Sequence, residues 1–350
     1  MLVPASASRS PPPASPASPP AAVSRAPSRS AKTAPFGDTL AAHVAQRQSQ
    51  IVLGLDPHPA ALWPGTGGGG DGEVGDGGVA RGDSVSAAVL AHCRALIDAA
   101  APACVAVKPQ LACFERLGPA GGEVLGAVAA HARGCGLLVI ADGKRGDIDV
   151  TATAYAEALF GGLELPSVAT ADREALPEVL PGLHADLVTV NPLMGRDAIE
   201  PFIAAARHCG AGVLLLVRTS NPGAADVLDL ELADGGALWE RLATLVDSLG
   251  RNGLGESGLS DVGAVVGATA PQYLARAREL MPSAIFLLPG VGAQGGRIED
   301  LAPAFAPGRA GGLIAASRSI ASAHLSSGGD PAACARAEAE RLRAAAWELA

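Results

Sequence analysis

The sequence predicts an α/β protein: a closed (β/α)8 TIM barrel forming a single domain, with a disordered N-terminal tail. Three observations carry that expectation. Short apolar runs alternate with longer helical patterns, there are eight such runs, and each is continuous rather than alternating in polarity. Continuous apolar strands suit a parallel sheet that helices cover on both faces. A doubly wound open sheet is the second arrangement compatible with this alternation.

The elements follow in chain order. Residues 1–35 are Pro, Ser and Ala with a few basic residues, and the first acid is Asp38. Such a segment buries too little apolar surface to fold, so a disordered tail is expected. A transit peptide is the competing reading, and the proline density argues against its amphipathic helix. The barrel domain then occupies 36–350. Its apolar runs lie at 51–56, 104–109, 137–142, 187–191, 213–219, 264–269, 284–289 and 313–317. Helical patterns fall between them, as at 84–99 and 198–208. Asp330-Pro331 supplies an N-cap and a first-turn proline for the last helix. The Gly/Asp-rich stretch at 65–82 reads as a flexible loop after the first strand, because it lacks the Lys-Ser/Thr ending of a phosphate loop. Residues 161–184 form a second insertion.

Composition narrows the function. The 350 residues are 49% hydrophobic but only 3% aromatic, so the core is aliphatic. A net charge of −9 argues against a nucleic-acid partner, which requires a basic face. No apolar stretch is expected to reach the ~18 residues of a membrane span. The six cysteines include no CxxC pair and match no zinc spacing. They read as small hydrophobes of a reduced cytoplasmic protein, and no metal is expected. His58 and His131 have no evident base or metal partner and read as structural or surface groups.

In a β/α barrel, chemistry sits where the strands end. The residues there are Asp56, Lys108, Asp142 with Lys144, Asn191, Thr219-Ser220-Asn221, Thr269, the segment 289–294 and Arg318. One or two polar strand ends are ordinary solvation, but this set converges on one mouth. If the third strand persists past Asp142, alternation turns Asp142 and Lys144 to the same side, with Asp147 beyond them on the turn.

Asp142-Gly-Lys144-Arg-Gly-Asp147-Ile148 after the third strand resembles the signature of the orotidine 5′-monophosphate decarboxylase family. Gly-Leu-Asp56, Val-Lys108-Pro-Gln, Val-Val-Gly-Ala-Thr269, Leu-Pro-Gly-Val-Gly-Ala-Gln294-Gly-Gly and Ser-Arg318-Ser-Ile extend the resemblance over roughly residues 36–325. Lys-Pro-Gln, Thr-Ser-Asn-Pro and Gly-Ala-Gln-Gly-Gly resemble the mycobacterial-type (type 2) branch. The resemblance implies conversion of orotidine 5′-monophosphate to UMP, the last step of de novo pyrimidine nucleotide biosynthesis, without a cofactor. It implies Lys144 as the proton donor to C6, Asp142 beside the substrate carboxylate, and Lys108 and Asp147 as partners in a charge array. It further implies Asp56 on the ribose, Ser220 on the pyrimidine with the adjacent Thr219 as the alternative, and Gln294 and Arg318 on the phosphate. Asp147, Ile148 and Thr151 would reach a neighbouring subunit's site in a homodimer. A mobile lid is expected within 223–236. The rivals are a Mg2+-dependent hexulose-phosphate enzyme of the same superfamily, which Lys108 in place of an acid disfavours, and a non-catalytic phosphate-binding barrel.

Overall fold

The computed structural model describes residues 34–66, 78–161 and 182–350. The strands are β1 (Ile51–Leu55), β2 (Ala106–Pro109), β3 (Leu138–Arg145), β4 (Leu187–Val190), β5 (Gly212–Arg218), β6 (Val262–Val266), β7 (Phe286–Pro289) and β8 (Gly312–Ala316). All pair in parallel with their sequence neighbours, and β8 returns to β1 with Ile51 opposite Ile314, so the barrel closes. The predicted fold class is therefore observed.

The helices are α1 (Phe36–Arg47), α2 (Gly78–Ala100), α3 (Leu111–Glu115), α4 (Pro119–Gly134), α5 (Asp149–Phe160), α6 (Arg196–Cys209), α7 (Ala225–Leu228), α8 (Leu238–Gly250), α9 (Leu274–Leu280), α10 (Arg318–Ala321), α11 (Ala323–Ser327) and α12 (Pro331–Leu349). Asp330 caps α12 as expected, its side chain accepting from the Ala333 N–H at 2.8 Å. Helix α2 begins at Gly78, so the end of the expected 65–82 loop is helical. Most of the tail, residues 67–77 and residues 162–181 of the second insertion lie outside the described residues.

The core has two parts, which follow from strand alternation. One parity points outward to the helices: Leu53, Val107, Val139, Val188, Val213 and Ile314 pack beneath them. The other points inward, where Val52, Ala106, Ile140, Leu187, Leu214, Val265 and Leu287 fill the barrel. Phe36, Leu40 and Val44 of α1 join this inner cluster and plug its N-terminal end. That leaves the C-terminal end to open as a mouth.

One sequence expectation fails here. Ser84–Ala103 is long and apolar enough to cross a membrane by length and composition. Half of that stretch is buried within the fold, where α2 packs against α4 and α12. The apolarity of α2 thus serves the core.

Candidate active site

The inward parity that builds the core turns polar at its last layer. In β2 it runs from Ala106 to Lys108, in β3 from Ile140 to Asp142, and in β4 from Leu187 to Thr189. These three polar residues are 7%, 6% and 0% exposed. Burying an ammonium and a carboxylate is costly unless they are paired. Here the pairing is complete. Asp142 Oδ2 accepts from Lys108 Nζ at 2.6 Å and from Gln110 Nε2 at 3.3 Å. Asp142 Oδ1 accepts from Lys144 Nζ at 2.6 Å and from the Thr189 hydroxyl at 3.0 Å. Burial would push the Asp142 carboxyl up, but the two flanking ammonium groups outweigh it and hold the pKa down to about 2.

Lys144 reaches this carboxylate by an unusual backbone step. Strand β3 continues to Arg145, but its pairing with β4 slips: Ala141 faces Val188, whereas Arg145 faces Val190. The slip bulges residues 142–144 and re-aims their side chains. Lys144 takes φ 49°, a left-handed conformation that costs a non-glycine residue about 1–3 kcal/mol. The Thr189 hydroxyl holds the step by accepting from the Lys144 N–H at 2.9 Å while donating to Asp142. The expected juxtaposition of Asp142 and Lys144 is present, but simple alternation along a regular strand is not its cause.

Above this floor lies a cavity of about 420 Å3, lined by Asp56, Lys108, Asp142, Lys144, Ser220, Gln294 and Arg318 among others. Gly54 lets Ser317, just after β8, pack closely against β1 at the cavity wall: a Cβ there would stand 2.6 Å from the Ser317 Cβ. Ser220 and Gln294 also line the cavity: the Ser220 hydroxyl donates to Gln294 Oε1 at 3.2 Å, and the Thr269 hydroxyl donates to the Ser220 carbonyl at 3.1 Å. Arg318 follows β8 and lines the same cavity. The arrangement places a carboxylate–ammonium cluster and a guanidinium on the wall of one small-molecule cavity.

Not every candidate converges. Within one chain Asp147 stays out of the cluster, and its carboxylate accepts from the adjacent Ile148 N–H at 2.8 Å. Ile148 and Thr151 are exposed and do not line the cavity. Asn191 serves the turn after β4, accepting from the Leu193 N–H at 3.0 Å. The segment 223–236 folds as a short 3-10 turn, α7 and an isolated bridge between Glu231 and Ala237. It is tied to β5 by the Arg218–Asp229 ion pair at 3.0 Å.

Thr189 and Gln110 were not among the candidates. Thr189 interrupts the apolar run Leu187-Val-Thr-Val by a single hydroxyl, a weak signal that strand-end reasoning passes over. His131 requires a correction: its Nε2 lies 2.7 Å from Asp98 Oδ1, so it has an acid partner. His58, by contrast, caps a 3-10 turn, accepting from the Ala60 N–H at 3.2 Å. The cysteines fit their expected role in part: Cys93 and Cys104 are buried, and burial pushes both thiols up to about 12.

Comparison with known proteins places this geometry. Residues 49–328 match the family described as orotidine 5′-phosphate decarboxylase / HUMPS. A curated orotidine 5′-phosphate decarboxylase of Rhodopirellula baltica is 45% identical over 244 residues, covering 70% of this chain and 76% of that protein. Another, from Deinococcus radiodurans, is 45% identical over 227 residues, covering 64% and 74%. Among solved structures, the Leishmania donovani OMP decarboxylase superposes with a TM-score of 0.62 at 28% identity, covering 89% of this chain and 98% of that one.

Proposed function

The chain belongs to the orotidine 5′-phosphate decarboxylase / HUMPS family, and from that premise we propose that it decarboxylates orotidine 5′-monophosphate to UMP, with Lys144 delivering the proton. It is a carboxy-lyase of the orotidine 5′-phosphate decarboxylase class, acting in pyrimidine biosynthesis. The observation that carries the mechanism is the grip of Lys108 and Lys144 on opposite oxygens of Asp142 at the cavity floor.

At C6 one bond breaks and one forms, and one N–H bond of the Lys144 ammonium breaks with it. The C6–carboxylate bond breaks, CO2 leaves, and the electron pair stays on C6. The Lys144 ammonium gives a proton to that carbon and forms the C6–H bond of UMP. Lys144 suits this role because its side chain is 43% exposed to the cavity, whereas that of Lys108 is 8% exposed. A preset charge array needs no reorganisation as charge develops at C6, and this is usually the largest source of rate enhancement. Asp142, held ionised, lies where the substrate carboxylate would approach. Arg318 and Gln294, which line the same cavity, suit the phosphate, and Asp56 suits the ribose.

Lys108 also favours this reaction over the metal-assisted chemistry of hexulose-phosphate enzymes. A magnesium site needs several oxygen ligands, whereas here an ammonium group already occupies the Asp142 Oδ2 edge.

Two extensions rest on the family and on this chain's surface. The first is a homodimer sharing its sites, with Asp147, Ile148 and Thr151 entering the partner's mouth. It is supported by the exposure of Ile148 (49%), Val150 (82%), Leu193 (79%) and Met194 (47%) in the segments that follow β3 and β4, since large exposed apolar side chains near one another mark interaction surfaces. The second is membership of the mycobacterial-type branch, supported by Lys-Pro-Gln, Thr-Ser-Asn-Pro and Gly-Ala-Gln-Gly-Gly. A cytoplasmic location accords with the six free cysteines.

The test is the loss of pyrimidine absorbance when the protein meets orotidine 5′-monophosphate in EDTA. Rapid loss, absent in Lys144→Ala, is expected. Turnover of a ketohexulose phosphate with Mg2+ in its place would move the chain to the other branch of the family. Silence on both would leave a phosphate-binding barrel.

A further inference from the structure

We propose that Asp98, His131 and Cys135 form a binding site for a thiophilic divalent transition-metal ion of the zinc class, on the face of the barrel opposite the mouth. The three side chains present one oxygen, one nitrogen and one sulfur donor, all within 4.8 Å of one another. They come from two elements. Asp98 lies in the last turn of α2, just before the chain enters β2. His131 and Cys135 lie one turn apart at the end of α4, just before β3, so their side chains share one helix face. Both segments feed strands from their N-terminal ends, whereas Lys108 and Asp142 lie at the other ends.

The spacing suits such an ion. A tetrahedral zinc with bonds of about 2.3 Å to sulfur and about 2.0 Å to nitrogen and oxygen separates its ligand atoms by roughly 3.3–3.6 Å. Cys135 Sγ is 3.8 Å from Asp98 Oδ1, and His131 Nε2 is 2.7 Å from the same oxygen. Insertion of the ion therefore opens the histidine–aspartate contact by about half an ångström and leaves the thiol nearly in place. Water completes the fourth position, since Asp98 is exposed.

The scaffold is braced from outside. Arg47 donates from Nε to the Cys104 carbonyl at 2.6 Å, from Nη1 to the Gly136 carbonyl at 3.2 Å, and from Nη2 to the Ala101 carbonyl. One side chain thus ties the segment after Asp98 to the segment after Cys135. The Cys135 N–H, bonded to the His131 carbonyl at 3.1 Å, fixes the turn that carries both ligands. Such support orients ligands before the ion arrives.

Proton accounting follows. Burial, with Asp98 adding to it, raises the Cys135 thiol above its ordinary value, so the free site holds a neutral thiol at pH 7. Binding releases that proton to solvent as the thiolate forms. His131 passes from the tautomer that donates to Asp98 to the one whose Nε2 lone pair faces the ion. No electron transfer is involved. The ion would clip α2 to α4 and stabilise the barrel.

The proposal is independent of the decarboxylase assignment, and its test reads out metal rather than turnover. The full chain is titrated with Zn2+ against a chromophoric chelator and, separately, with Co2+. One ion per chain is expected, with release of close to one proton, a thiolate-to-cobalt charge-transfer band and a raised Tm. Cys135→Ser should abolish the charge-transfer band, while His131→Ala and Asp98→Asn should weaken binding at least tenfold. None of these residues lines the mouth, so decarboxylation should be unchanged in all three. No retained ion, an octahedral cobalt spectrum, or a band that persists in Cys135→Ser would each overturn the site.

Discussion

Lys144 meets Asp142 across a left-handed step: with φ at 49°, its Nζ lies 2.6 Å from Asp142 Oδ1 although the two residues are only two apart. The bulge that makes this possible stores backbone strain at the position assigned to proton transfer. Replacing Lys144 by Ala removes the ammonium that is open to the cavity and leaves Asp142 facing an anionic substrate with only Lys108 beside it. We expect kcat to fall by more than about 10^3-fold, the upper part of the range for a lost general acid with its electrostatic contribution. Single-turnover measurement of UMP formation checks it. A loss of less than tenfold would remove Lys144 from the proton-transfer step.

Thr189 is the second support of that step, and one hydroxyl serves both neighbours. Thr189→Val keeps the shape but leaves the Lys144 N–H and Asp142 Oδ1 each short of a partner. Stability should fall by about 1–3 kcal/mol, the cost of buried groups left unsatisfied. The effect on kcat should exceed that on KM, because the misplaced group is Lys144 and no phosphate contact changes. Thr189→Ser, which restores the hydroxyl, should recover most of both losses. Denaturant melts and steady-state kinetics on the three proteins decide it.

The acid limb of stability should carry the signature of Asp142. Its folded pKa is held to about 2, below the unfolded value of about 3.9. A depressed carboxylate contributes stability in full above its unfolded pKa and loses it as pH falls through its folded one. Wild type should therefore exceed Asp142→Asn in unfolding free energy at pH 7 by an amount that holds down to about pH 4–5. The gap should shrink below that, since a protonated Asp142 approaches the neutral amide. A gap that is constant or widens between pH 5 and pH 3 would mean that the ion pairs do not set this pKa.

Much of this was legible in the sequence, for a physical reason. Parallel strands buried on both faces read as continuous apolar runs, so eight strands and the polar residues ending them were visible without coordinates. Boundaries were less so: β6 begins at Val262 rather than 264, because Gly263 reads as a breaker yet continues the strand where a Cβ would stand 2.3 Å from the Ile285 carbonyl oxygen. Helix α2 reaches back into the Gly-rich stretch that reads as loop. Within the site, charged residues after strands were found, but Thr189 was hidden inside an apolar run and Gln110 lay one residue beyond a strand end. The His131–Asp98 pair joins positions 33 apart on different helices, and no spacing rule links them.

Arg278 is a buried cation that the function does not use. Its Nη1 donates to the carbonyls of Met281 at 2.9 Å and Ala284 at 2.7 Å, and its Nη2 to those of Ala304 at 2.6 Å and Gly311 at 3.0 Å. Its guanidinium stacks 3.7 Å from the Phe286 ring centroid. Burial pushes its pKa down to about 9, which still leaves it charged at pH 7. One planar fork thus ties α9 to the segments before β7 and β8. Lysine has neither the donors nor the plane to replace it. Arg278→Lys should cost about 3 kcal/mol or more in stability and leave KM unchanged at temperatures where it stays folded. Thermal melts with kinetics at 15 °C separate the two effects.

Arg318 gives the sharpest test of how binding energy is used. It lines the cavity that Lys144 also lines, and it cannot touch the reacting carbon if it holds the phosphate. An anion contact of this kind is remote, so its energy can be used to close and orient the site rather than only to hold substrate. Arg318→Ala should lower kcat/KM for orotidine 5′-monophosphate by about 10^2-fold or more, the equivalent of about 3 kcal/mol. The nucleoside orotidine has no phosphate, and its slow turnover should be the same in both proteins. Parallel assays of the two substrates decide the matter. An equal loss on both would show that Arg318 supports the fold of the mouth. A loss confined to the phosphorylated substrate would place the guanidinium on the phosphate, and the partition of that loss between KM and kcat would show how much of the contact is expressed in the transition state.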